Sequence, residues 1–474
     1  MKPFAIAKIL TLGLFSFTFN SFSSQVLQVP NSPVNQKILD KLDLDYACMG
    51  NTKDHLHFHL DQRAKNILES NKFSKTSLFK DSKIVNENIE SQFDIESFSK
   101  TKNDLGIYHT HQELVQELQE TAKKYPSLTE LKVVGTTVEG NDIHAIVLSN
   151  KKSTLDKKSF LVTGTHHARE WISTEVPLAS IQDLLQSFSS DDEASTILNN
   201  STLVYVPMLN VDGAIFSRTQ QRMWRKNRRK EGISSTGVDN NRNYAYEWGG
   251  AGASGSAWSN TFRGPEAMSE VENKVIAQLH DQYDFVTAIS FHSYSELILW
   301  PWGFTDKMKS KDHKIFEKYG KKMGAIMGGY KPIQASGLYP ASGVFDDYLY
   351  GQHGVLTYTI ELGKQFVPKP SEVPTINSNG SKLLRYMFTE ARAPFENVAN
   401  TTEYQIAQAL ENIVKSLNIN SEVTSYTNEL SALQSFKKEQ IEAVMKDLDM
   451  SPLTRIQINR LIKKQALFNT LQDK

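Results

Sequence analysis

The chain runs to 474 residues, more than one ordinary domain needs, and at 39% hydrophobic and 22% charged it has a globular composition with ample material for a core. Lys plus Arg equals Asp plus Glu at 53 each, so net charge argues for no polyanionic partner. A single cysteine, Cys48, excludes a disulfide framework, and its place at the edge of an N-terminal segment reads as incidental rather than catalytic.

The N-terminus carries Lys2 and Lys8, then a run from Ile9 to Phe19 that is apolar apart from Thr11, Ser16 and Thr18, then the small residues Ser21 and Ser23. This predicts a signal peptide over residues 1–23, too short for a comfortable membrane span and followed by no lipobox cysteine. No later stretch approaches the roughly 20 apolar residues of a spanning helix, so the protein is expected to be exported and then soluble, secreted or periplasmic. Residues 24–102 are polar and rich in Lys, Asn and Ser. Within them His55-Leu56-His57-Phe58-His59-Leu60 alternates, which puts three histidines on one strand face and the apolar residues on the other. An edge strand with a polar outer face explains this better than a metal site does. Ser99-Lys100-Thr101-Lys102 closes the region and suits proteolytic nicking.

From 103 to 400 strands and helices alternate. Phe160 to Thr163, Thr202 to Leu209, Phe285 to Phe291 and Val355 to Ile360 are β-branched or aromatic runs of strand length. Tyr108 to Lys124 and Ser269 to His280 read as helices, the second with Ser269 as N-cap and Glu270 and Glu272 in its first turn. The alternation predicts an α/β fold, a sheet with helices on both faces. Gly249 to Trp258 is a flexible loop and no phosphate cradle, since it follows no strand and lacks a Walker lysine. Residues 401–474 contain no glycine and are helical in pattern, with Leu410, Ile413 and Leu417 on one face and Ile458, Leu461, Phe468 and Leu471 on another.

Chemistry concentrates in Gly164-Thr165-His166-His167-Ala168-Arg169-Glu170-Trp171. A catalytic zinc takes three protein ligands within about 2.0–2.2 Å, and His-x-x-Glu in a turn leaving a strand can aim both side chains at one point. Of the twelve histidines only His167 has a glutamate three residues on, which alone is a weak signal. His292 follows the run ending at Phe291, and Glu361 follows the run ending at Ile360, so three titratable groups lie at the C-terminal ends of three predicted strands. In open α/β sheets that edge is where ligands bind.

Six segments together carry a resemblance: His167-Ala168-Arg169-Glu170-Trp171, Arg222-Met223-Trp224-Arg225-Lys226, Asp239-Asn240-Asn241-Arg242-Asn243, His292-Ser293-Tyr294-Ser295, Leu338-Tyr339-Pro340-Ala341-Ser342-Gly343, and Tyr358-Thr359-Ile360-Glu361-Leu362. In this order they resemble the M14 zinc carboxypeptidases (funnelins) of the carboxypeptidase A/B type, over some 300 residues. The resemblance implies a mixed central β-sheet flanked by helices, with one Zn2+ held by His167, Glu170 and His292. It implies Glu361 as general base and Arg225 as oxyanion stabiliser. It implies Asn241 and Arg242 as a clamp on the substrate's free carboxylate, Tyr339 closing over it, and Arg169 as a secondary substrate-side arginine. His166 has no counterpart and is expected to line the turn. Asp346 falls at the pocket floor, where an aspartate accompanies a preference for basic terminal residues, although Gly303 looks more like the A type.

Peptide or protein C-termini are therefore the expected partners. The position and length of residues 24–102 resemble an inhibitory propeptide, which makes an activating protease a further candidate partner. No role is assigned to residues 401–474. The basic cluster from Arg222 to Lys230 reads as a solvated face at Arg228, Arg229 and Lys230, because neither net charge nor aromatic spacing supports nucleic acid. Two alternatives are a peptidoglycan peptide or N-acyl amino acid amidase on the same scaffold, and a non-catalytic binding protein. All five essential positions are present, which disfavours the second.

Overall fold

A computed structural model describes residues 106–391 apart from 156, 232–233 and 236, three strands ahead of them, residues 438–460 apart from 457, and single positions at 32, 35, 410, 412–413, 416, 433 and 462. The expected signal peptide, Cys48, Ser99–Lys102, Leu417, Leu461, Phe468 and Leu471 lie outside the described residues. Among the described residues no helix is long and apolar enough to cross a membrane.

The N-terminal strands β1 (Ser24–Pro30), β2 (His55–His59) and β3 (Lys83–Glu87) form an antiparallel sheet in the order β2-β1-β3. β2 is an edge strand, and Leu56 and Phe58 are buried while His55 is half-buried, as alternation requires.

The main body begins with α1 (His111–Lys124), whose start is set by a reciprocal cap between Thr110 and Glu113. There follow β4 (Thr129–Thr136), β5 (Asp142–Leu148), β6 (Lys158–Thr163), α2 (Ile172–Ser187), α3 (Asp192–Asn200), β7 (Ser201–Val206) and α4 (Val211–Thr219). A two-stranded ribbon of β8 (Lys230–Glu231) and β9 (Ser234–Ser235) precedes a single 3-10 turn over Asn240–Arg242. Then come α5 (Val271–Tyr283), β10 (Phe285–His292), β11 (Leu297–Trp300), α6 (His313–Ile326), β12 (Lys331–Gln334), α7 (Phe345–His353), β13 (Leu356–Glu361), α8 (Val373–Glu390) and α9 (Lys438–Asp447).

Two local expectations are corrected. The run expected to extend to Leu209 ends as a strand at Val206, where Pro207 brings no N–H and Asn210 turns the chain into α4 by accepting from the Gly213 N–H at 3.1 Å. Ser269 is not the N-cap of α5: its hydroxyl donates to Glu270 Oε1 at 2.6 Å, and Glu270 holds the cap position.

Eight strands form one mixed sheet in the order β12-β11-β13-β10-β6-β7-β5-β4. The centre, β13-β10-β6-β7, is parallel, while β5 and β4 continue it antiparallel on one side and β11 does so on the other. Every residue of β10 and β13 is buried, so both faces of the sheet's centre are covered. Helices α2, α3, α6 and α8 pack on one another, and T-shaped contact between Phe160 and Phe388 at 5.2 Å joins β6 to α8.

The C-terminal helical residues bury a small cluster of their own, with Leu410, Ile413, Leu433, Met445 and Ile458 at its centre. They also dock on the main body. Leu453 is 1% exposed within the main core, and the Arg460 guanidinium donates to the Asp284 carboxylate at 3.0 and 3.1 Å and to the Phe285 carbonyl at 2.8 Å. Phe285 opens β10, so this docking point lies at the strand end opposite His292.

Candidate metal centre and active site

The turn leaving β6 is shaped by Gly164. A Cβ there would stand 2.1 Å from the Ser173 carbonyl oxygen and 2.6 Å from that of Pro207. Pro177, inside α2, brings no N–H to the Ser173 carbonyl, the same oxygen against which Gly164 lies. β6, β10 and β13 are neighbours and parallel, and His292 pairs in register with Glu361 as the last residue of each strand. The four side chains therefore share one edge because backbone pairing places them there.

His167, Glu170 and His292 form the metal-capable group found among the described residues, with one ligand atom from each lying within 4.8 Å of the others. The two Nδ1 atoms face each other at 3.1 Å, and the Glu170 carboxylate reaches them at 2.8 and 2.9 Å. Two imidazole nitrogens and a carboxylate, exposed by 4%, 1% and 2%, are the donor set of a catalytic zinc and fit that ion. Burial favours the neutral form of Glu170, yet the two imidazoles outweigh it and hold the carboxyl well below its usual range.

Asp239 organises what surrounds the ligands. His167 Nε2 reaches its Oδ1 at 3.1 Å, so that Nδ1 presents its lone pair to the cluster. Arg225 Nε and Nη2 donate to Asp239 Oδ2 at 3.0 and 2.9 Å, and the Asn241 N–H donates to Oδ1 at 2.9 Å. Burial opposes ionisation of Asp239, but Arg225, His167 and Arg242 hold it well below the usual carboxylate range. From the sequence alone Asp239 carries no assigned role, although it stands within one of the six segments. Its signal is an aspartate two residues ahead of the Asn241-Arg242 pair, at the cap of their turn.

Glu361 is 9% exposed and its Oε2 has no hydrogen-bond partner among the described residues. Burial raises its carboxyl well above the usual value, Glu170 adds to this, and Arg225 and Arg169 oppose it. Arg225 Nη1 stands 3.3 Å from His167 Nδ1, which brings its guanidinium to the edge of the cluster. Arg169 lies over the Phe366 ring at 4.2 Å. Asn241 Oδ1 accepts from the Phe345 N–H at 2.8 Å, which fixes the side-chain amide. Arg242 donates from Nε to the Gly252 carbonyl and from Nη1 to the Asn241 carbonyl, both at 2.7 Å, and its guanidinium lies 5.8 Å from the Tyr339 ring centre. Of two adjacent buried aspartates, Asp347 accepts from the Gly303 and Phe304 N–H groups at 2.9 Å, while Asp346 Oδ1 is unpartnered.

His166 spends both ring nitrogens on hydroxyls, with Nε2 2.9 Å from that of Tyr244 and Nδ1 3.0 Å from that of Ser290, and its ring stacks on the His292 ring at 5.4 Å. The expectation of a solvated face is corrected in part. Arg228 stacks on Phe216 at 3.7 Å and pairs with Glu139, and Arg229 pairs with Glu270 at 3.0 Å, while Lys230 is exposed.

The family model described as "Zinc carboxypeptidase" matches residues 114–382, a span that holds the whole cluster. The chain belongs to the zinc carboxypeptidase family. With the His–Glu–His cluster, that membership makes it a zinc-dependent exopeptidase of the carboxypeptidase A/B type. Carboxypeptidase B of Astacus astacus is 32% identical over 266 residues, covering 54% of this chain and 86% of that one. Carboxypeptidase A2 of Mus musculus is 30% identical over 312 residues, covering 64% and 74%. Among solved structures, bovine thrombin-activatable fibrinolysis inhibitor aligns at 26% identity with a TM-score of 0.56, covering 60% of this chain and 97% of that one. Carboxypeptidase A from Helicoverpa armigera shares the fold at 23% identity and a TM-score of 0.65, covering 78% and 98%.

Proposed function

We propose that the protein removes single residues from the C-termini of peptides and proteins, with a weak preference for basic terminal residues. The observation that carries this reading is Glu361: a buried carboxyl with an unpartnered oxygen, paired in register with His292, at the edge where the metal ligands converge. His167, Glu170 and His292 would hold the zinc, which when bound supplies Lewis acidity toward a carbonyl oxygen and lowers the pKa of water to about 7.

Glu361 is the general base. Its raised proton affinity suits a group that takes a proton from the attacking water and returns it to the leaving amine. Arg225, fixed by two bonds to Asp239, donates to the oxyanion without having to reorganise. The amide of Asn241 and the guanidinium of Arg242 bind the substrate's free carboxylate, Tyr339 closes over it, and Arg169 assists on the substrate side. A free carboxylate is what separates an exopeptidase substrate from an internal peptide bond.

Asp346 sets the side-chain preference. Its unpartnered, buried oxygen would gain a charge-assisted bond from a terminal Lys or Arg. On the same reading residues 1–23 export the protein to the periplasm or medium, and residues 24–102 act as a pro-segment that a protease removes. The test is a comparison of blocked dipeptides ending in Arg, Lys and Phe. The Arg and Lys substrates should be cleaved several-fold faster than the Phe substrate, and Asp346→Ala should remove the difference. Preference for Phe, unchanged in the variant, ends the assignment of Asp346.

A further inference from the structure

The glycine-rich loop from Gly249 to Ser259 has no part in the chemistry above, yet it touches the proposed carboxylate clamp at three points. The Gly252 carbonyl accepts from Arg242 Nε at 2.7 Å. The Ala251 carbonyl accepts from the Ser342 N–H at 2.9 Å, within the segment that carries Tyr339. At Gly252 itself φ is +70°, and a Cβ would stand 1.9 Å from the Pro340 carbonyl oxygen, so only glycine permits this approach.

Glycine brings the most backbone entropy and no side chain to pack, so a segment of this composition needs anchors from outside it. Backbone bonds of 3.0 Å tie Ser254 to Thr261 and Arg263, and two cationic side chains anchor the loop on either side. Arg263 Nη1 donates to the Gly249 carbonyl at 2.9 Å, its guanidinium lies 4.7 Å over the Trp248 ring, and Trp248 Nε1 donates to the Arg263 carbonyl at 3.0 Å. At the far end Lys226, only 4% exposed, donates to the carbonyls of Ala257 at 2.9 Å and Ser259 at 2.7 Å. The loop is thus pinned at both ends, and its middle presents a carbonyl to Arg242.

We propose that this loop, pinned by Arg263 and Lys226, is the positioning element that aims Arg242 at the substrate carboxylate, so that Gly252 and Arg263 determine substrate affinity. This rests on the reading of Arg242 as the clamp. With Nε and Nη1 already bonded to carbonyls, the guanidinium plane is set before substrate arrives, and little rotamer freedom is left to lose on binding.

The experiment measures KM and kcat separately on one blocked dipeptide for the wild type, Arg242→Gln, Gly252→Ala, Arg263→Met and Arg263→Lys, with zinc content and melting temperature for each. Arg242→Gln should raise KM. Gly252→Ala and Arg263→Met should raise KM by about tenfold with kcat within about twofold, the signature of lost uniform binding. Arg263→Lys, which can still donate to the Gly249 carbonyl, should recover most of the affinity. If Gly252→Ala does not fold, the Arg263 pair decides the matter. An unchanged KM in Arg263→Met, or a loss of kcat alone in proportion to folded enzyme, overturns the positioning role while Arg242→Gln still raises KM. An unchanged KM in Arg242→Gln removes the clamp reading itself.

Discussion

Asp239→Asn separates the metal ligands from what holds them. Asp239 is fully buried and binds His167 Nε2 and Arg225 at once, so the variant keeps the shape and removes one charge from between two partners. Replacing a partner of this kind typically weakens metal affinity or activity by about 10–100-fold. Arg225, 4% exposed, loses its two-bonded counter-charge and keeps the more distant Glu170 carboxylate at 3.8 Å. Breaking a buried pair from one side costs about 3–5 kcal/mol, and at about 2–4 °C per kcal/mol for a domain of this order the melting temperature should fall by roughly 10 °C. The folded-state carboxyl is depressed, so its stabilisation is fully present above the unfolded carboxyl value and is lost only as pH falls through the folded one. At neutral pH the variant should therefore show the whole deficit. Zinc retention against a competing chelator and a thermal melt of the loaded protein measure the two effects independently of turnover. Unchanged zinc retention together with an unchanged melt would refute the reasoning.

Glu361→Gln should retain zinc while kcat falls by about 10²–10⁴, the usual contribution of a positioned general base, and near-normal turnover would remove Glu361 from that role. Glu272, fully buried beside Glu270, is pushed up to about 8 chiefly by burial. A raised carboxyl makes the folded state lose stability as pH climbs from the unfolded value to the folded one, so Glu272→Gln should melt higher than wild type at pH 8, with the gap closing toward pH 4. A gap that does not change with pH would contradict this. Leu453→Ala should destabilise the main body by about 2–5 kcal/mol through its core contact, whereas Arg460→Ala, at a partly exposed pair, should cost under about 1 kcal/mol. Denaturant unfolding that ranks them the other way would mean that the C-terminal helices are held by charge.

The site's skeleton was legible because it is written in strand ends. His292 and Glu361 follow β-branched and aromatic runs, and the structure makes each the final residue of its strand. Asp239 carries no such mark, since it sits in a turn without periodicity, and its meaning depends on Arg225 and His167 arriving from other elements. The resemblance implied a mixed sheet, but its strand order was hidden: β11 runs antiparallel beside β13, a pairing decided by distant contacts. Which of Asp346 and Asp347 is spent on backbone N–H groups, and where residues 451–460 dock, are also long-range facts. Ser269 illustrates the opposite failure, a correct cap residue type displaced because its hydroxyl found the neighbouring glutamate.

The register pair of His292 and Glu361 has a thermal consequence. Neither can leave its place unless β10 and β13 part, and every residue of both strands is buried, so their separation is the melting of the molecule's centre. The proposed carboxylate clamp hangs instead on a 3-10 turn and a glycine loop, the kind of structure that opens at lower free energy than a core strand. Warming should reach the clamp first, so that KM climbs while kcat is still rising, and turnover collapses only with the sheet. The protein would lose its grip on the peptide before it lost the means to cut it.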